Sequence, residues 1–497
     1  MEMKKRGRVQ SEVIITKKAL STESPKQLDR TLTALDLTFL GIGAVIGTGI
    51  FVLTGIVAAK HSGPGIMLSF LIAAFTCACV AFCYAEFASS IPVSGSVYTY
   101  AYMTVGEVVA FIVGWCLMLE YLLAVAAVAV GWSGYLQSLL QGFNVHLPAI
   151  VASAPGVGKG GLIDLPAVCI LLIITGLLSF GIRESARINN IMVLIKLAVI
   201  IAFIVAGAKY VKPENWTPFI PFGYDGIITG AATVFFAFLG FDAIATAAEE
   251  TKKPQRDLPI GIIGSLLICT VLYMIVSFVL TGMVPYTQLD VSDPVAFALH
   301  FVGEDTIAGL LAVGAMTGMT TVLLVVMYGQ VRVSYAMSRD GLLPKALARV
   351  NKRVKIPLLN TWITGVVAAL LAGLLDLHVL ANLVNIGTLT AFTFVCCAVL
   401  ILRKTHPDLK RGFRTPFVPV LPVVAILCCL YLMINLSKTT WISFAVWLIV
   451  GLCFYFFYSR KHSHLATEKT NDEKKKHNKI ARRFSGKLFF CTIIFFR

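Results

Sequence analysis

Two glycine-rich interruptions lie inside apolar stretches, at matching places in the two halves of the chain. The first is Gly41-Ile42-Gly43-Ala44-Val45-Ile46-Gly47-Thr48-Gly49-Ile50-Phe51, and the second is Phe235-Phe236-Ala237-Phe238-Leu239-Gly240-Phe241-Asp242. Glycine costs about 1 kcal/mol against alanine inside a helix, so Gly43, Gly47 and Gly49 favour local unwinding. Unwound backbone within a bilayer survives only where it is buried in protein or lines a cavity. Its amides and carbonyls then become recognition groups. The amides of Gly47, Thr48 and Gly49, with Ile46 beside them and the Thr48 hydroxyl nearby, suit a carboxylate at a half-helix start. Close helix packing through small residues is the alternative reading of these glycines. The occurrence of two breaks together favours a binding site between two repeats.

Two deep ionisable residues add chemistry. Lys196 lies in Ile191-Met192-Val193-Leu194-Ile195-Lys196-Leu197-Ala198, and Glu120 in Trp115-Cys116-Leu117-Met118-Leu119-Glu120-Tyr121. A lysine near mid-span costs about 2.5–3.5 kcal/mol on insertion scales, so such residues mark ion or proton pathways by default. A structural counter-charge for Lys196 and a hydrogen-bonded structural carboxylate for Glu120 are the alternatives. Asp242 follows the second break at a position that can cap the next half-helix. Glu86, Glu249 and Glu250 fit contacts at the inner gate or its loops, and His300 fits a surface role.

The elements that must hold these groups are membrane helices. Hydrophobic residues make up 57% of 497 and charged residues 14%, and a spanning helix needs about 20 apolar residues. The pattern predicts an all-α integral membrane protein with twelve spans at 34–58, 65–88, 107–139, 162–182, 188–209, 225–248, 258–284, 306–334, 360–376, 379–402, 418–436 and 440–458. A polar, basic segment precedes the first span, so no cleavable signal peptide is expected.

The net charge of +16 follows from topology. Of 42 Lys and Arg, Lys60, Lys159, Lys209, Lys212 and Lys438 fall on the outer side, Lys196 within a span, and all the others on the inner side. This asymmetry places both termini in the cytoplasm, and no nucleic-acid partner is needed to explain it. Eleven of the twelve cysteines lie in spans, where they act as small hydrophobes. Cys79 and Cys83 share a helix face without a histidine or further thiolate cluster, so no metal site, cofactor or disulfide framework is expected.

The motifs Gly41–Phe51, Phe235–Glu250, Met337–Pro344 and Pro357–Asn360 occur in order on the expected spans. Through them, residues 25–460 resemble the amino acid–polyamine–organocation (APC) superfamily, and within it bacterial relatives of the cationic amino acid transporters. The resemblance implies a leucine-transporter-type (LeuT-like) fold: a 5+5 inverted repeat with broken helices 1 and 6, plus two peripheral helices. The domains are then a cytoplasmic arm (1–33), the first repeat (34–209), the second repeat (225–402), peripheral helices 11–12 (418–458) and a basic cytoplasmic tail with a short apolar end (459–497).

By the same resemblance, the carbonyls of Phe236, Ala237 and Leu239 take a substrate ammonium. Lys196 replaces a sodium ion with its own ammonium between helices 1 and 8. Glu120 lies near helix 5 and can share a proton network with Lys196. The implied function is secondary active, proton-coupled L-amino acid uptake at the plasma membrane by alternating access. Its partners are an L-amino acid, a proton and the lipid bilayer.

An exchanger, a polyamine or cationic amino acid transporter, and a non-transporting nutrient sensor are the alternatives. A membrane enzyme would need a nucleophile–base pair or metal cluster in a cleft. None of the eight histidines (His61, His146, His300, His378, His406, His462, His464 and His477) lies deep in a span. A channel would show charged rings or a repeated filter, and the sequence has neither.

Overall fold

The computed structural model describes residues 30–90, 97–104, 106–157, 160–180, 186–351, 354, 356–405, 407–408 and 411–463. The first 29 residues of the basic arm, the Ile-Pro-Val-Ser-Gly-Ser loop at 91–96 and the tail beyond 463 lie outside this set, as does the Glu249 side chain.

Long apolar runs with no water to satisfy the backbone must close their hydrogen bonds internally, and helices do so. Among the described residues the longer helices are α1 (Ala34–Val45), α2 (Ile66–Ser90), α3 (Glu107–Gly142), α4 (Leu165–Ser179), α5 (Ala186–Gly207), α6 (Gly223–Val234), α7 (Pro254–Met283), α8 (Asp305–Arg339), α9 (Leu358–Leu374), α10 (Leu377–Thr405), α11 (Val420–Ile434) and α12 (Lys438–Phe454). The described part of the loop after α2 holds a short helix, Val97–Thr104. Pairing between extended segments is limited, among the described residues, to two isolated bridges, Leu32 with Thr251 and Ala152 with Asp164.

Among the described residues, eight helical stretches are long and apolar enough to cross a membrane. Four apolar helices are shorter: Ala34–Val45, Leu165–Ser179, Leu358–Leu374 and Val420–Ile434. The brevity of α1 has a local cause. It starts at a capping box, in which Asp36 N donates to Thr33 Oγ1 and Thr33 N donates to Asp36 Oδ2. It stops at Val45, because Ile46 is extended with φ −76° and ψ 102°.

Helical backbone resumes as a π-helical stretch, Gly49–Leu53, a short α-turn, Thr54–Val57, and a second π stretch, Ala58–Ser62. These lead almost directly into α2. Small residues set the approach of α7 to α1: a Cβ on Gly41 would lie 2.5 Å from Ser265 Oγ, and one on Gly261 would lie 2.7 Å from Leu37 Cβ.

The bundle has two ends. At one, the turn Ala58–Ser62 meets the region that opens α10. At the other, Thr31 and Leu32 donate to Glu250 O (2.9 and 3.0 Å), and Lys252 N donates back to Leu32 O (2.9 Å).

Candidate functional site

The second break has a sharper form than the first. After α6 the chain tightens into a 3-10 turn, Phe235–Phe238. Leu239 is extended, and Gly240 follows at φ +111°, a conformation that L side chains rarely adopt. A short helix, Ala243–Thr246, then begins.

The two breaks interlock. A Cβ on Gly49 would lie 2.4 Å from Ala237 Cα, and one on Gly240 would lie 2.9 Å from the backbone carbon of Ala44. Gly49 therefore lets the first break rest on the second, and Gly240 lets the second rest on the first. Gly47 is different, because its Cβ would meet only Val322, with Cγ2 at 3.5 Å and Cγ1 at 3.9 Å. The candidate binding residues thus share one locus: Ile46, Gly47, Thr48 and Gly49 from the first break, Phe236 and Ala237 from the 3-10 turn, and Leu239 just after it. All but Leu239 are buried.

An interrupted helix leaves carbonyls without their usual amides. Side chains from three other helices serve them. Lys196 Nζ on α5 donates to Gly43 O at 2.7 Å and Ile46 O at 3.2 Å. Its aliphatic stem passes against α8, where a Cβ on Gly318 would lie 2.9 Å from Lys196 Cε. Tyr273 on α7 sets its hydroxyl 2.9 Å from both Val45 O and Ala237 O, one carbonyl from each break. A phenol has one proton, so it donates to these two acceptors alternately or as a shared bond. Asn385 Nδ2 on α10 donates to Ala232 O (2.8 Å) and Thr233 O (3.0 Å), just before the second break.

Tyr273 and Asn385 were not singled out by the sequence reading. A phenol and an amide in the middle of apolar spans were the available signal, and screening for ionisable groups alone passes over them.

Thr48 is fully buried, and its hydroxyl faces Met319 Sδ on α8 at 3.4 Å. Thioether sulfur is a weak acceptor. Helix α3 reaches the same threonine through Gly131, whose Cβ would lie 2.4 Å from Thr48 Cγ2.

Glu120 is buried on α3, and its Oε2 has no hydrogen-bond partner among the described residues. Thr388 on α10 and Asp242 beside the second break are its polar neighbours. The family resemblance implies that Glu120 lies near helix 5. In the fold its surroundings come from α10 and the second break, while Lys196 is engaged by the first.

Asp242 occupies the N-cap position of Ala243–Thr246, but its side chain makes no capping hydrogen bond there. The cap anticipated from sequence exists in position only. The carboxylate accepts from Tyr121 Oη at 3.3 Å, a phenol that α3 brings against the second break.

The remaining sequence candidates lie elsewhere. Glu86 is buried at the end of α2 and takes both Nε and Nη2 of Arg403 (3.0 and 2.7 Å) together with Thr415 N (2.8 Å). His300 pairs with Asp305 at 2.7 Å on the surface. In the Met337–Pro344 segment, Asp340 accepts from Tyr98 Oη at 2.8 Å, and Ser338 Oγ donates to Pro344 O at 2.6 Å. No group of three or more His, Cys, Asp or Glu suited to a metal ion is present among the described residues.

This geometry offers a pair of broken helices, uncharged walls around Thr48, and three buried ionisable residues, Lys196, Glu120 and Asp242. The family model described as "Amino acid permease" matches residues 32–457. The methylthioribose transporter of Bacillus subtilis (strain 168) is 57% identical over 456 residues, which cover 91% of this chain and 99% of that protein. The branched-chain amino acid permease BcaP of the same organism is 55% identical over 448 residues, covering 90% and 96%. The vacuolar cationic amino acid transporter 2 of Arabidopsis thaliana is 34% identical over 576 residues, covering 88% and 91%. The chain belongs to the amino acid permease family of the APC superfamily and is a transporter rather than an enzyme.

Proposed function

We propose that the chain is a secondary active permease that takes up neutral L-amino acids by alternating access, coupled to protons. The observation that carries this reading is the interlocking of the breaks at Gly49–Ala237 and Gly240–Ala44. Two half-helices that meet at mid-chain positions present amides on one side and carbonyls on the other. That pair of dipoles matches the carboxylate and ammonium of a zwitterion. Gly47, Thr48 and Gly49, with Ile46, take the carboxylate. Phe236, Ala237 and Leu239 take the ammonium.

The side group of the substrate then meets Gly131, Met319 and Val322, which touch Thr48 and Gly47. All three are uncharged, which favours an apolar substituent over a guanidinium or a second ammonium. The branched-chain relative agrees with this preference. The methylthioribose relative supports a second reading, in which a methylthio group occupies the same apolar wall and a sugar replaces the zwitterionic head.

Lys196 and Glu120 are the coupling groups. Lys196 places an ammonium against the carbonyls of the first break, where a second cation would be repelled. Its deprotonation would release Gly43 O and Ile46 O and free that half-helix to move. Glu120, beside Asp242, is a second proton carrier.

The architecture that fits is twelve spans in a LeuT-like inverted repeat, 34–209 and 225–402, with peripheral helices at 418–458 flanked by cytoplasmic segments 1–33 and 459–497. The four shorter apolar helices complete the count, α1 with its π-helical continuation forming the first span. The basic asymmetry supports cytoplasmic placement of both termini, and the plasma membrane is the membrane we assign to the protein.

Proteoliposome uptake decides between the readings. Radiolabelled leucine, arginine and methylthioribose are offered in turn under an inward proton gradient. Leucine accumulation that collapses with a protonophore and ignores sodium is the expected result. Uptake of methylthioribose alone would establish the second reading, and arginine alone would refute the neutral preference.

A further inference from the structure

Far from the breaks, two imidazoles lie face to face across the end of the bundle assigned above to the outside. The rings of His61 and His378 have centroids 5.7 Å apart and planes 23° from parallel. His61 belongs to the turn Ala58–Ser62, the last turn of the outer half of the broken first helix. His378 lies in the first turn of α10. Both residues are half-buried, and the Nε2 of His378 is itself closed off from solvent.

Below this pair the same helix, α10, carries Asn382 and Asn385. Thr233 Oγ1 donates to Asn382 Oδ1 at 3.5 Å, and Asn385 binds the carbonyls that end α6. The histidine contact is therefore the outermost of a column of contacts between α10 and the outer halves of the two broken helices.

We propose that His61 and His378 form a proton-operated latch on the outer mouth of the permease. The inference rests on the alternating-access reading, because a latch matters only if the outer half-helices separate from α10.

The charges facing the pair decide its response. Lys60 shares a turn with His61 and pairs with Asp290 at 2.9 Å. Asp376 precedes α10, and its Oδ2 accepts the His378 amide at 3.2 Å. From α6, the backbone at Gly226 packs against His61 O, with Asp225 next to it in the chain. His378 Nδ1 lies 3.3 Å from Asn382 Nδ2, which makes that ring nitrogen an acceptor when the amide donates, and only a neutral imidazole can accept. His378 Nε2 has no hydrogen-bond partner among the described residues.

Neutral rings can stack in this arrangement. Two imidazolium rings cannot do so without opposing each other and Lys60, while Asp290 is already paired with that lysine. The nearby Asp376 tolerates the first added proton better than the second.

The sign follows from this arrangement. In the open state both rings meet water and titrate near the ordinary histidine value of about 6.5. In the closed state protonation is disfavoured, so opening takes up protons. The latch holds above that value and weakens as the pH falls below it. Each proton taken up on opening changes the open-to-closed ratio about tenfold per pH unit in this range. An acidic exterior would then favour the outward-open state, at the same time as it supplies the proton to be carried.

Hydrogen exchange on the full chain in nanodiscs, without substrate, tests the latch. Peptides covering 56–66 and 377–386 are compared at about pH 8 and about pH 5.5, on either side of the imidazole range, after correction for intrinsic exchange chemistry. The wild type should exchange several-fold faster at the acidic pH. His61→Phe/His378→Phe keeps two stacked rings that take no proton, and it should lose the difference. His61→Gln/His378→Gln serves the same comparison if the Phe pair fails to fold. A wild type without the difference, or a difference that persists in the variants, overturns the latch. The uptake assay tests the transport reading separately: pH-dependent exchange without any uptake would leave the latch and remove its purpose in transport.

Discussion

The ammonium of Lys196 lies 2.7 Å from the carbonyl oxygen of Gly43, an oxygen that an unbroken helix would pair with the amide of Gly47. One side chain from α5 thus substitutes for a missing turn of backbone hydrogen bonding. Its second bond, to Ile46 O at 3.2 Å, spans the point where α1 ends. The cost of burying a lysine is offset by carbonyls that would themselves be costly to leave bare.

Lys196→Ala is expected to abolish accumulation driven by a proton gradient. Each unpaired buried carbonyl would cost about 1–3 kcal/mol, so a lower melting temperature should accompany the loss. Lys196→Met keeps the stem against Gly318 and separates the two effects. Gradient-driven uptake and thermal unfolding are measured on both. Full accumulation by either variant would remove Lys196 from coupling.

Gly49 and Gly47 should respond differently to alanine. At Gly49 the new methyl meets the backbone of Ala237, which cannot yield, so Gly49→Ala should lower both stability and uptake. At Gly47 the methyl meets Val322 at an ordinary van der Waals distance. Gly47→Ala should fold normally and raise KM several-fold by intruding on the carboxylate position. A Gly47→Ala variant with wild-type KM would place the carboxylate elsewhere.

Tyr273→Phe removes the hydroxyl that joins Val45 O to Ala237 O. The ring remains packed against Phe70 and Phe238, with centroids 5.4 and 5.3 Å away. The expected result is a stability loss of about 1–2 kcal/mol, in line with one lost buried hydrogen bond. Uptake should fall by more than that loss alone explains, because the two breaks are no longer held in register. Calorimetry and uptake on the same preparation compare the two losses.

The all-helical membrane class was legible because composition and apolar run length leave few alternatives. The interruptions were legible because glycines recur at a spacing that weakens a helix. The groups that complete the breaks were not. Tyr273 is 36 residues from Ala237 and Asn385 is 153 from Ala232, and nothing local distinguishes them from polar side chains that bond back to their own helix, as Thr388 does to Val384 O. Asp242 shows the opposite case. Its position reads as a cap, yet a phenol from α3 takes the carboxylate, and only the packed fold brings Tyr121 there.

Glu120 and Asp242 provide the last prediction. Both are buried near the second break, and two carboxylates close together in a low-dielectric site would repel each other strongly. Replacing one carboxyl by its amide removes that repulsion and fixes the proton count. Glu120→Gln should therefore keep substrate exchange between equal compartments, which needs no net proton movement. It should lose accumulation driven by a proton gradient. Asp242→Asn should share this phenotype if the proton is held jointly, and should retain accumulation if Glu120 carries it alone. The measurement is counterflow against gradient-driven uptake in the same vesicles, each followed from about pH 5 to about pH 8 to bracket ordinary and perturbed carboxyl groups. Equal loss of both activities in Glu120→Gln would assign the residue to substrate binding or folding and not to coupling. Unchanged accumulation in both single variants would leave Lys196 as the sole proton carrier.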